Sequence, residues 1–219
     1  VLNLNKMMFK DRGDAGKHLA KALEKYSDEK AIVLCIPRGG VAVGFEVAMA
    51  LNSVLDVIVV RKIPIPWSPE AGFGAISPDG SLVLNEPLVK HLGLSKQDTD
   101  ELSIPVFDEI KRRIKTYRGD KPFPDLKGKI AIIVDDGLAS GFTMIAAIKM
   151  VEKHKPEKIV VAVPVSSSSA YNIVKPLVNE LICLCKKPHG DFAVASYYDD
   201  FHDMSDEEVL VYLKAGDLK

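Results

Sequence analysis

The sequence lacks the features that would direct a chain into a membrane or onto a nucleic acid. No uninterrupted apolar run in its 219 residues reaches the roughly 18 that suggest a membrane span. Val1 to Arg12 has no apolar segment of the kind a secretion signal carries, so a cytoplasmic location is expected. Neither sign of charge is in surplus. The 29 Lys and Arg against 30 Asp and Glu give a net charge of −1, which argues against nucleic acids and anionic membranes as partners. Cysteine is scarce, with three in all: Cys35, Cys183 and Cys185. Cys183 and Cys185 share a strand parity, and no histidine pair stands nearby at ligand spacing. All three are therefore read as small buried hydrophobes of a reduced compartment rather than metal ligands. One further absence is local: no Lys, Arg or His occurs from Ile63 to Val89.

What is present is an ordinary globular composition, 47% hydrophobic and 27% charged, on a chain long enough for one full core. Short apolar runs alternate with helical patterns. Strands are expected at Ala31 to Ile36, Val54 to Val60, Ile130 to Val134, Lys158 to Val163 and Leu181 to Leu184. Helices are expected at Val41 to Leu51, Thr143 to His154 and from about Ser168. Continuous apolar strands separated by helices predict an α/β fold, a five-stranded parallel sheet flanked by helices. A single domain is expected, with its core at about 28–186. The chain ends, about 1–27 and 187–219, lie outside the sheet and together form a small cap. Ile63 to Asn85, rich in Pro and Gly, reads as a long flexible loop containing short strands. Ser95 to Tyr117 reads as a charged helix interrupted at Pro105.

The chemistry concentrates after the third strand. Ile130 to Val134 runs into adjacent carboxylates, Asp135 and Asp136. Gly137, Leu138 and Ala139 follow, then Ser140-Gly141-Phe142-Thr143 opens a helix. Ligands of open parallel sheets bind at the C-terminal ends of strands. A helix start offers free N–H groups and a positive dipole end to a phosphate. Gly141 permits close backbone approach, and the Ser140 and Thr143 hydroxyls add donors. Paired acceptors suit vicinal hydroxyls, so the stretch reads as one unit for a ribose 5-phosphate. The Gly-Lys-Ser/Thr element of a Walker loop and the Gly-x-Gly-x-x-Gly pattern are both missing. Two more anion-binding candidates stand at strand ends. Pro37-Arg38-Gly39-Gly40 reads as a strained turn with exposed N–H groups and a fixed cation. Arg61-Lys62, read as the end of the second strand, places two cations toward the same cleft.

Val134 to Thr143 resembles the signature of the type I phosphoribosyltransferases. Phe9 to Arg12, Pro69-Glu70, Gly74-Ala75, Tyr117-Arg118-Gly119 and Asp199-Asp200-Phe201 extend that resemblance along nearly the whole chain. They point to a broad prokaryotic group of predicted phosphoribosyltransferases. The resemblance implies a base-covering hood built from the chain ends. It also implies that Asp135 and Asp136 hold the ribose hydroxyls and serve catalysis, while Gly137 and Ala139 to Thr143 cradle the 5′-phosphate. Pro37 to Gly40, a loop that often has a cis peptide in the family, would hold pyrophosphate with Arg61 and Lys62. Ile63 to Asn85 would be the lid, here without a cation. Ala139 replaces an aspartate usual in the 6-oxopurine enzymes and resembles the adenine, xanthine and uracil branches. Mg²⁺ would be held mainly by phosphoribosyl pyrophosphate, with Asp135 and Asp136 as its protein contacts, and the chain would be a homodimer.

In the hood, Phe192, Tyr197 and Tyr198 are candidates for stacking on a base, though as core aromatics they need no such role, and His189 and His202 are lesser candidates for base contact. Ser166 to Ser169 read as turn and N-cap residues. The activity implied is transfer of a phosphoribosyl group to a nitrogenous base with release of pyrophosphate. Two alternatives stand beside it. One is a sensor that binds phosphoribosyl pyrophosphate without turnover. The other, weaker, is a diphosphokinase that makes it, which a single domain without an evident ATP site does not favour.

Overall fold

The computed structural model describes residues 8–27, 29–188 and 190–217, with the side chains of Pro69 and Glu70 also outside that description. The residues before Met8 in the N-terminal stretch considered above therefore lie outside the described residues. The fold is governed by two runs with no polar side chain, β1 (Ala31–Cys35) and β6 (Ile130–Val134), whose residues are all buried. Such strands need cover on both faces, so they sit inside a sheet rather than at its edge. With β2 (Val54–Val57), β7 (Lys158–Ser167) and β8 (Glu180–Lys187) they make a parallel five-stranded sheet in the order β2-β1-β6-β7-β8. The edge strands β2 and β8 carry the mixed burial that an edge permits.

Alternation along the strands sorts the core into two layers. Val33, Cys35, Ile132 and Val134 face α2 (Gly39–Ala50), behind which pack α1 (Arg12–Ala22) and α7 (Asp206–Gly216). Ile32, Leu34, Ala131 and Ile133 face α5 (Phe142–Lys153), with α6 (Ser168–Val174) beside it. No helix among the described residues is long and apolar enough to cross a membrane.

Three expectations need correction. Val54 to Val60 is not one strand. Its pairing with β1 ends at Val57↔Cys35, closed by the Ile58 N–H to Cys35 carbonyl bond at 2.9 Å. Ile58 to Val60 then leave the sheet, and Arg61-Lys62 open a new strand, β3 (Arg61–Ile65). The short strands expected from Ile63 to Asn85 are present but paired into a sheet rather than scattered in a loop. β3, β4 (Ser68–Ile76) and β5 (Leu82–Leu84) form a three-stranded antiparallel sheet whose buried Ile63, Phe73 and Ala75 join the core. Its β4–β5 turn is tied to α5, with Lys153 binding Asp79 and, at 2.8 Å, the Ser81 hydroxyl. Finally, α4 (Lys96–Arg118) runs through Pro105 without a break. Pro105 and Glu101 are both exposed, so the carbonyl that the proline deprives of a partner faces water. A Ser95–Asp98 capping box starts this helix, and Gly119 at φ 57° ends it. α3 (Glu86–His91) links it to β5.

The chain ends meet over the C-terminal edge of the sheet. Phe9 donates its N–H to the Tyr197 carbonyl at 2.8 Å and accepts from Asp199 at 2.8 Å. Phe9 and Tyr198 pack with ring centroids 5.6 Å apart.

Candidate functional site

Register brings the two loops together. β1 and β6 end level, Cys35 beside Val134, and the Ile36 N–H reaches the Val134 carbonyl at 2.9 Å. The turn at Pro37 to Gly40 therefore lies against the Asp135-Asp136 pair. The Pro37–Arg38 peptide is cis. The glycines do not serve the strained turn expected of them. Neither has positive φ, and both belong to the first turn of α2. They are needed for approach. A side chain at Gly40 would sit 2.9 Å from the Val134 carbonyl and 3.0 Å from Asp135 Cα, and one at Gly39 would collide with Asp136 Oδ2.

The loop after β6 is held by β7. Leu138 donates to the Val165 carbonyl and accepts from Ser167, both at 2.9 Å, and Ser167 Oγ reaches the Ala139 carbonyl at 2.8 Å. Ser167 also caps α6 through Ala170, as expected of that serine run. Gly141 has φ 83° and precedes α5 with no side chain capping the helix start. The first turn of α2 is likewise uncapped by a side chain. Two helix starts thus present N–H groups within one region of the fold, an arrangement that suits anionic groups.

Two cavities adjoin there. One, of about 420 Å³, is lined by Gly137 to Met144 and roofed by Ala71, Gly72 and Gly74 of β4. The other, of about 240 Å³, is lined by Pro37, Arg38, Gly39, Arg61, Lys62 and Arg113. Both include Lys62, Asp135 and Thr143. A larger hollow of about 620 Å³ lies at the opposite edge of the sheet, among Lys25, Lys30, Glu157 and Glu180. The loops at the strands' C-terminal ends are absent from it, so we place the chemistry in the smaller pair.

Burial pushes the Asp135 carboxyl well above the usual range, and the neighbouring Asp136 charge adds to this. Asp136 is also raised by burial, although Arg12 opposes the shift. Arg12 Nε lies 2.9 Å from Asp136 Oδ2, its Nη1 donates to the His202 carbonyl at 2.9 Å, and its guanidinium stacks 3.9 Å above the Phe201 ring. Tyr198 donates its hydroxyl to the Asp136 carbonyl at 2.6 Å. The chain ends thus grip Asp136 from both sides. The sequence alone assigns Arg12 no role and offers Tyr198 only as a ring to stack on a base, whereas Tyr198 lines neither cavity and binds Asp136. The signal was present, since Phe9 to Arg12 and Asp199 to Phe201 shared the family resemblance, but only the fold pairs them with Asp136.

Phe192 and Tyr197 pack on each other, centroids 5.6 Å apart, and line neither cavity. Val194 stands over the loop instead, its methyls 2.7 Å from where a Gly137 side chain would be. His189 lies outside the described residues. Among the described residues no group of three His, Cys, Asp or Glu could hold a metal ion. The adjacent Asp135 and Asp136 supply hard oxygen donors that suit a divalent cation bound chiefly by other oxygens.

A family model described as a phosphoribosyl transferase domain matches residues 78–196, more than half of the chain. The crystal structure of TT1426 from Thermus thermophilus is similar at TM-score 0.76 and 38% identity, covering 94% of this chain and 98% of that one. Proteins from two strains of Mycobacterium tuberculosis, each with a provisional phosphoribosyl transferase name, are 41% identical over 206 residues. The match covers 94% of this chain and 46% of theirs, so the chain spans about half the length of those relatives. The chain belongs to the phosphoribosyl transferase domain family.

Proposed function

We propose that this protein transfers the 5-phosphoribosyl group from phosphoribosyl pyrophosphate to a nitrogenous base, releasing pyrophosphate. The supporting observation is the pair of adjoining cavities that share Asp135. One has an uncapped helix start with hydroxyls, suited to a sugar phosphate. The other has cations and glycines, suited to a diphosphate. A ligand with a phosphate at each end and a diol between matches that layout.

In this reading Gly137 and Ala139 to Thr143 take the 5′-phosphate, and Asp135 and Asp136 accept from the ribose hydroxyls. Pro37 to Gly40, Arg61 and Lys62 hold the pyrophosphate. Mg²⁺, carried in by the substrate's oxygens and touching Asp135 or Asp136, would neutralise charge on the leaving group. The carboxylates also steady positive charge that develops at the ribose as its C1′–O bond loosens, and the base nitrogen attacks from the far side. No side chain need become covalently attached, so positioning carries the reaction. The β3–β4 hairpin, whose Ala71, Gly72 and Gly74 roof the 420 Å³ cavity, excludes water over it as a lid. The hood, comprising the chain ends outside the sheet, recognises the base. A homodimer in the cytoplasm is the expected form.

The test is pyrophosphate release from phosphoribosyl pyrophosphate with Mg²⁺ over a panel of bases. Wild type should turn over at least one base. Asp136→Asn should lower the rate by about 10- to 100-fold, the value of a hydrogen bond to a charged group. Full activity in that variant would sink the assignment. The absence of any cation from Ile63 to Val89 favours a second reading, a non-catalytic sensor. Saturable binding with no turnover on any base would select it.

A further inference from the structure

Beyond Lys62 the hairpin over the site has no cation, but helix α4 supplies one. Arg113 lies on the face of α4 turned inward, is only 8% exposed, and lines the 240 Å³ cavity beside Arg38, Arg61 and Lys62. Its Nε donates to Glu109 Oε1 at 2.8 Å, and Arg61 Nη1 lies 3.6 Å from that same oxygen. Two guanidinium groups from different elements thus converge on one carboxylate oxygen at the cavity wall.

That carboxylate is already committed. Arg112 binds Glu109 through two nitrogens, at 2.7 and 2.8 Å. Arg61, Arg112 and Arg113 thus converge on Glu109, and Arg112 also reaches Asp206 Oδ2 at 2.9 Å. On the other wall Asp136 is matched by Arg12. The cavity therefore gathers Arg38, Arg61, Lys62 and Arg113 from three elements, with Asp135 and Asp136 on its other wall. Burial lowers the Arg61 pKa, and the like charge of Arg113 lowers it further. Such crowding of like charges is unfavourable and is relieved by a ligand with several negative oxygens.

Resting on the phosphoribosyl pyrophosphate reading, we infer that Arg113 is a pyrophosphate-binding residue. It clamps the leaving diphosphate with Arg38 and Arg61, where residues 63–89 offer no cation. Glu109 holds the two guanidiniums in place, so the cation comes from a packed helix instead of a moving segment. The fork of an arginine can engage two oxygens at once, which an ammonium cannot.

Calorimetric titration of wild type, Arg113→Gln and Arg113→Lys with inorganic pyrophosphate plus Mg²⁺, and separately with ribose 5-phosphate, tests this. Arg113→Gln should weaken pyrophosphate binding by about 10- to 100-fold and leave ribose 5-phosphate binding unchanged. Arg113→Lys, which keeps charge and bulk, should fall between and serves if the glutamine variant does not fold. Wild-type pyrophosphate affinity in both variants would overturn the inference while leaving the phosphoribosyl pyrophosphate reading intact. Equal loss of both ligands would overturn it too, by showing a structural role. Failure of wild type to bind either ligand would defeat the underlying reading itself.

Discussion

Arg12 and Asp136 stand 124 residues apart in the chain and 2.9 Å apart in the fold. Both are largely buried, with side chains 8% and 16% exposed. Removing one partner of such a pair strands the other charge. Arg12→Met should therefore cost stability at the low end of about 3–5 kcal/mol, since some exposure remains. Adding Asp136→Asn should restore most of that loss without restoring phosphoribosyl pyrophosphate binding. Urea unfolding and a binding titration on the three variants check both halves. A double variant no more stable than Arg12→Met would show that the ion pair is not the cause.

Gly137 and Val194 form a second dependency. A methyl at Gly137 would meet both Val194 methyls at 2.7 Å and a Val165 methyl at 2.8 Å. Gly137→Ala should cost about 1–3 kcal/mol from overpacking. Val194→Ala in the same chain should recover part of it, because one of the two obstacles is removed. Thermal unfolding of the single and double variants measures the coupling. Simple additivity would mean that Val194 does not crowd the loop.

Trp67 is the only tryptophan, and it stands 67% exposed at the β3–β4 tip. The far end of that sheet is anchored through Asp79 and Lys153. Any closure must therefore bend the tip alone. Phosphoribosyl pyrophosphate with Mg²⁺ should shift the Trp67 emission to shorter wavelength in a saturable way. Emission that stays fixed while the ligand binds would argue against a closing tip.

Glu109 is held down from the ordinary 4.5 to about 2, first by its hydrogen bond from Arg112 and also by Arg113. A carboxyl depressed in the folded state stabilises fully above its unfolded value. Its contribution disappears as pH falls from about 4.5 toward 2. Wild type should lose unfolding temperature across that window more steeply than Glu109→Gln, which has no proton to gain. Parallel acid profiles would contradict the assignment of that network.

The parallel sheet was legible because β1 and β6 contain nothing but apolar side chains. The acid-pair loop was legible because its donors and acceptors are consecutive. The second sheet was legible only as short strands in a loop, because Pro64, Pro66 and Pro69 lie in or beside β3 and β4, where pattern reading places loops. Arg113 was missed because it looks like any other charge on a charged helix. Only the packing of α4 against β3 turns it inward. Arg12 was hidden for the opposite reason, since its partner lies most of a chain length away.

The hydroxyl bond from Tyr198 to the Asp136 carbonyl spans 62 residues, and the Arg12 bond spans twice that. Contacts of such separation form slowly, because the closure entropy of a long loop precedes any gain. The widest strand pairing, Ala31 with Ile130, closes a shorter loop than the Arg12 bond does, so the sheet can assemble before Arg12 reaches Asp136. Competence to bind should therefore lag behind secondary structure during refolding, making ligand capture a stricter clock of native-state completion than circular dichroism.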